Sequence, residues 1–239
     1  MAIDTPNTSL TANDKRILNA LFDPETLPSS EVRSRDASTI DTSLPPHPTI
    51  SASQLSILES QQHELIRTLN STSSASEIED GLRREAEIVH EHPDYPSAYL
   101  NSAMLHRMKL EASLSGEQTL FSRPEKAVTA LFVSLALAIQ NALPSASHVV
   151  PAVSPYQARI LRTAFSHRGY LYLKAAETAP AWDGKSKTDL EELASRDFAA
   201  AARYGDEVAR EMSVRTNPYA KMCGAIVKNA LREERGLSR

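Results

Sequence analysis

The stretch LRTAFSHRGYLYLKAAE, Leu161 to Glu177, decides the fold together with ELASRDFAAAARYGDEVA, Glu192 to Ala209. Phe165, Arg168, Gly169 and Tyr172 recur at steps of three and four, the spacing that gathers side chains on one face of an α-helix. Ala194, Phe198 and Ala201 repeat that spacing in the second run. The two runs read as antiparallel helices, A and B. Gly169 has no Cβ, so the B helix can lie close to it, and Ala194, Phe198 and Ala201 answer as small, large, small. Such a pair cannot bury its apolar face alone, so packed neighbours are expected on both sides. An isolated amphipathic hairpin is the alternative.

Outward from this pair, the 239-residue chain has room for one moderate domain and tails. A net charge of -4 and the lack of a basic stripe interleaved with aromatics speak against nucleic acid as a partner. The single cysteine, Cys223, excludes an internal disulfide and fits a reducing compartment. The opening MAIDTPNTSLTANDK has no apolar core of a secretory signal. The cytoplasm, or the nucleus, is the expected compartment. The uncharged run Ala127 to Leu143 is shorter than a membrane span and contains Thr129, Ser134, Gln140 and Asn141. It reads as a B helix covered on both sides, and no membrane contact is expected.

In chain order, residues 1–24 hold a short helix with Ile17, Leu18, Leu21 and Phe22 on one face, ended by Asp23-Pro24. Residues 25–49 are rich in Ser, Thr and Pro and read as a flexible linker. Residues 50–236 form the array. Ser51 or Ser53 starts a helix with Leu55, Leu58, Leu65 and Leu69 inward, and Ser76 with Glu79 has capping-box spacing ahead of Ile78, Leu82, Ala86 and Val89. Ser97 starts a third helix carrying Tyr99, Ala103, Met104 and Met108. Expanded turns follow at Leu114–Pro124 and, around the only tryptophan, Trp182, at Glu177–Asp189. Asn217 and Pro218 occupy N-cap and N1 positions of a final capping helix with Tyr219, Met222, Ile226 and Ala230 inward, ending near Gly236.

These spacings are those of the tetratricopeptide repeat, about 34 residues of paired helices. Asn217 to Cys223 (NPYAKMC), Phe165-Ser-His-Arg-Gly169, Arg196-Asp-Phe198, Ala201-Ala-Arg203 and Ile17 to Pro24 together resemble the tetratricopeptide repeat protein 36 family. Pro93 to Ala103 also fits, and the departures are the expanded turns and the linker. The resemblance implies an all-α superhelix of about three repeats plus the capping helix. It also implies an adaptor that binds proteins, with a link to Hsp70-type chaperones and no catalysis.

Chemistry by residue type gives little. His90 and His92 are two apart and diverge on a helix, and no HExxH is present, so no metal or cofactor is expected. Ser166 and His167 are adjacent and cannot face each other as nucleophile and base. Cys223 sits at an inward-facing offset and reads as a small core side chain. In repeat domains that clamp chaperone tails, the family pattern uses five Lys, Asn and Arg positions. Only Asn101 matches here; Gln61, Gln62, Glu64, Thr163 and His167 stand where cations or amides are wanted. Helical offsets nominate Tyr99, Asn101, His106, Arg162, His167 and Arg168 as the partner-binding set, in a groove lined by the A helices. The competing reading is a helical ligand-binding or enzymatic domain with an unrecognised site.

Overall fold

A computed structural model describes residues 40–69, 73–116, 118–122, 125–143, 152–179, 181–224 and 226–227. The expected N-terminal helix, residues 25–39 of the expected linker, and Ala230 to Gly236 lie outside them. The described chain is all-α apart from one two-residue hairpin. Its helices are α1 (Ala52–Arg67), α2 (Ala75–Glu91), α3 (Pro96–Ala112), α4 (Glu125–Ala142), α5 (Pro155–Thr178), α6 (Lys187–Arg203) and α7 (Glu207–Thr216). A further helical segment begins at 218. From α2 onward each helix packs on the next in chain order, while α1 reaches α3 and α3 reaches α5. This order makes α1, α3 and α5 one row.

Local chemistry sets the helix starts. The Ser51 hydroxyl accepts from the Gln54 N–H and caps α1. Capping boxes open α2 (Ser74 with Glu77), α5 (Ser154 with Gln157, and Pro155 at N1) and α6 (Ser186 with Asp189). The box expected at Ser76 and Glu79 therefore lies two residues too late, and Glu79 instead pairs with Lys109 of α3 at 2.8 Å. Ser97 likewise starts nothing: Tyr95 is the N-cap of α3 and Pro96 its N1 residue. Asn217 does cap the final helix, accepting from the N–H of Tyr219 at 2.9 Å and of Ala220 at 3.3 Å.

Gly169 lies where α5 and α6 approach each other. A Cβ there would come within 3.2 Å of Phe198, 3.3 Å of the Ala194 carbonyl oxygen and 3.3 Å of Asp197. The main core runs through α3, α4 and α5, with Leu131, Leu135, Leu161 and Leu171 wholly buried. A second cluster joins Phe198, Ala194, Ala201 and Ala209.

The two expanded turns meet each other. Leu120–Ser122, a 3-10 turn, brings Phe121 edge-on to Trp182 at 5.4 Å. Trp182 sits in the hairpin formed by β1 (Ala181–Trp182) and β2 (Lys185–Ser186), 4.7 Å from the Phe132 ring of α4.

Three expectations change. Residues 40–49 of the linker are built onto the array: Ile40 bridges Val153, the Asp41 N–H donates to the Val153 carbonyl at 2.9 Å, and Ser154 donates to the Pro46 carbonyl at 2.8 Å. His47 is buried; its Nδ1 accepts from the Ile50 N–H, which leaves Nε2 to donate to the Asp94 carbonyl at 3.1 Å. One polar, Pro-rich segment thus finds its partners in loops distant in sequence, which composition does not reveal. On α2, Ala86 is exposed and Glu85 buried, the reverse of the apolar-face reading. Finally, α6 ends at Gly205, whose φ of 86° suits glycine, and Asp206 caps a separate helix, α7. Because α7 takes the place on α6, Tyr219, Met222 and Ile226 of the last helix are 55–60% exposed, and Cys223 is exposed too. Lys221 ties that helix to Glu191 of α6 at 3.0 Å.

Candidate functional site

The row α1, α3, α5 carries an open groove. One pocket of about 250 Å³ lies between α1, α3 and α5, and another of about 420 Å³ continues along α3 and α5 to Asp206; Thr163 lines both. Thr163, Ser166, His167 and Tyr170 form the α5 wall, four residues within about 100° of helix.

At the first end Glu59 of α1 and Arg159 of α5 form an ion pair at 2.5 Å, and the Arg159 guanidinium stands 5.5 Å over the Tyr156 ring. Glu59 also accepts from the Tyr95 hydroxyl at 3.2 Å and the Ser97 hydroxyl at 3.0 Å. Burial raises both tyrosine hydroxyls, Tyr156 to about 12, so these groups remain protonated donors.

Beneath the groove floor a polar chain crosses from α3 to α2. The Asn101 amide donates to the Gln62 carbonyl oxygen, and the Gln62 amide donates to Glu85 Oε2 at 2.9 Å. Glu85 is fully buried, and its Oε1 has no hydrogen-bond partner among the described residues. Burial pushes its carboxyl up to about 7, against the opposing pull of the Gln62 and Asn101 amides.

At the far end Arg107 pairs with Glu111 at 2.7 Å, lies 5.4 Å over Tyr170, and donates to His167 Nε2 at 3.2 Å. His167 is buried, and burial together with Arg107 pushes it down to about 4. It is therefore neutral near pH 7, with its proton on Nδ1. Ser166 donates its proton to Asp206, whose other oxygen caps α7 through the Ala209 N–H at 2.9 Å. Ser166, His167 and Asp206 thus line one pocket without forming a nucleophile–base relay. Among the described residues no three His, Cys, Asp or Glu side chains are grouped to hold a metal. Among them, too, no helix is long and apolar enough to cross a membrane.

Of the six residues nominated from sequence, Asn101, Arg162 and His167 line the groove. Tyr99, His106 and Arg168 do not. Tyr99 and Asn101 are two positions apart, which is 200° of helix, so they cannot share a face. Tyr99 instead donates to the Pro93 carbonyl at 2.9 Å and packs on the core. His106 is half-buried, and desolvation followed by the charge of Lys109 lowers its pKa. Arg168 points to the opposite side of α5, where Nε and Nη2 hold Asp197 of α6 at 2.7 and 2.8 Å. Even His167 is a buried wall residue rather than an exposed contact. The offsets missed Gln62, Arg107 and Thr163. A readable signal existed: Glu59, Gln62 and Ile66 on α1, and Ser97, Asn101 and Met104 on α3, each form a stripe at helical spacing.

Stacked helices carrying an open groove of mixed polar and apolar lining, with no reacting constellation among the described residues, define an all-α helical scaffold. The chain is 42% identical, over a 247-residue alignment, to the L-tyrosine degradation gene cluster protein hmgX of Aspergillus fumigatus. That alignment takes in 95% of this chain and 93% of the relative, and the chain belongs to the family of that protein. No protein-family model matches it, and no solved structure does.

Proposed function

We propose that this chain is a tetratricopeptide-type adaptor that serves L-tyrosine degradation by binding a protein of that pathway in the α1–α3–α5 groove. The observation that carries the reading is the groove itself, two pockets joined at Thr163 along three helices. Such a shape suits an extended peptide better than a compact substrate. The exposed Arg162 guanidinium offers donors along its length, and the Thr163 hydroxyl, which donates to the Arg159 carbonyl at 3.0 Å, can still accept. The pathway comes from the name of the Aspergillus relative. Capture of an Hsp70-type tail is not favoured: the third-repeat positions, on α5, hold Thr163 and a neutral, buried His167, and Asn101 is engaged with Gln62.

Growth tests this reading. A strain lacking the gene is expected to fail on L-tyrosine as sole carbon source. Wild-type protein restores growth, and Thr163→Trp, which fills the groove, does not, although it is expressed and folded. Full rescue by Thr163→Trp, or turnover of a pathway intermediate by the purified chain alone, would overturn the proposal.

A further inference from the structure

The expanded turns build something the groove does not use. On α5, Arg168 and Tyr172 lie about 160° from the groove stripe. There they meet α4 and the hairpin around a pocket of about 280 Å³. Its walls are aromatic: Phe132 lies 5.1 Å from Tyr172 and 4.7 Å from Trp182. Val133, 49% exposed, and Ala136, exposed, complete the lining from α4.

Among the described residues, two donors here lack acceptors. Trp182 is 7% exposed, and among the described residues its indole N–H has no hydrogen-bond partner. A buried donor left in that state is costly in a folded protein. Arg168 spends Nε and Nη2 on Asp197, which leaves Nη1 uncommitted. The charges cancel locally, since Arg168 is balanced by Asp197 and Lys185 by Asp183. An anion entering this pocket would gain from two cations and be repelled by two carboxylates. A neutral oxygen suffers no such repulsion.

We propose that this pocket is a second binding site, and that it takes a small neutral hydroxyaryl ligand. The ring stacks among Phe132, Tyr172 and Trp182. The phenolic oxygen accepts from Arg168 Nη1, and its proton is donated to the Asp183 carboxylate. The site is independent of the groove, because it lies on the other side of α5 and is assembled from turns that the repeat itself does not need.

Trp182 is the only tryptophan, so its indole N–H gives a single resonance in a proton–nitrogen correlation spectrum of the full chain. Titration with 4-methylphenol is expected to shift that resonance saturably, with a Kd of about 1 mM or tighter for a ligand of this size. 4-Methylcyclohexanol and 4-methylbenzoate should each bind at least about tenfold more weakly. Ala136→Phe fills the pocket from an exposed position, so it should abolish the shift while leaving the melting temperature unchanged. The proposal is overturned by no saturable shift up to about 10 mM, by an equal response in Ala136→Phe, or by either control ligand matching the phenol.

Discussion

Three helical glycines offer a graded test of the packing described above. Replacing a helical glycine by alanine gains about 1 kcal/mol of backbone entropy and helix propensity. What the new Cβ meets decides whether that gain survives. At Gly224 nothing lies within 4 Å, so Gly224→Ala should stabilise by about 0.5–1 kcal/mol. At Gly81 the Cβ would meet the methyl ends of Leu69 at 3.1 Å and Leu105 at 3.2 Å. Those side chains can rotate away, and Gly81→Ala should stay within about 0.5 kcal/mol of wild type. At Gly169 the Cβ would stand 3.3 Å from the Ala194 carbonyl oxygen, which belongs to the α6 backbone, and 3.2 Å from Phe198. Relief requires α5 and α6 to part by tenths of an ångström, at the roughly 1–3 kcal/mol of an overpacked core. Gly169→Ala should therefore lose about 1 kcal/mol net. Equilibrium urea unfolding with unchanged m-value measures all three. A Gly169→Ala protein stabilised as much as Gly224→Ala would refute the close α5–α6 approach.

Other perturbations follow from the same contacts. Phe198→Ala removes the large residue between α5 and α6, 5% exposed, and should lower unfolding free energy by about 3–5 kcal/mol; a melt within a degree or two of wild type would contradict the packing. The folded pKa of Glu85, about 7, lies above its ordinary 4.5, so the native state keeps a proton that the unfolded chain releases. Its contribution is therefore full below about pH 4.5 and lost as pH rises to about 7, by up to ~3 kcal/mol. Glu85→Gln should flatten this slope and be the more stable protein at pH 8, as chemical unfolding at several pH values would show. Arg168→Ala leaves the buried Asp197 carboxylate without its partner and should cost about 3 kcal/mol, much of it recovered in Arg168→Ala/Asp197→Ala. A double variant as unstable as the single one would show that the pair itself, not the stranded charge, carries the effect.

The helical class was legible because its signal is periodic and local: Gly169 with Phe198 and Ala194 could be paired from spacing alone, and they do pack. Two other features depend on partners far away in sequence. His47 looks like a linker residue until Asp94, forty-seven positions on, supplies its acceptor. Glu85 reads as solvated until Gln62 covers it. The break between α6 and α7 is local, at Gly205-Asp206, and with α7 packed on α6 the apolar residues Tyr219, Met222 and Ile226 of the final helix face outward, not inward as their spacing suggests. The candidate site was half legible. Asn101, Arg162 and His167 line the groove, whereas the same helical offsets also nominate Tyr99, His106 and Arg168, which stand on other faces of α3 and α5.

The groove reading is tested most directly by site-specific photo-crosslinking in cells growing on L-tyrosine. A benzoylphenylalanine at Thr163, in the groove, is predicted to capture an enzyme of L-tyrosine degradation, while the same group at Val133, on the opposite side, captures none. Crosslinking of such an enzyme from Val133 but not from Thr163, or from neither position, would contradict the assignment of the α1–α3–α5 groove as the recognition surface.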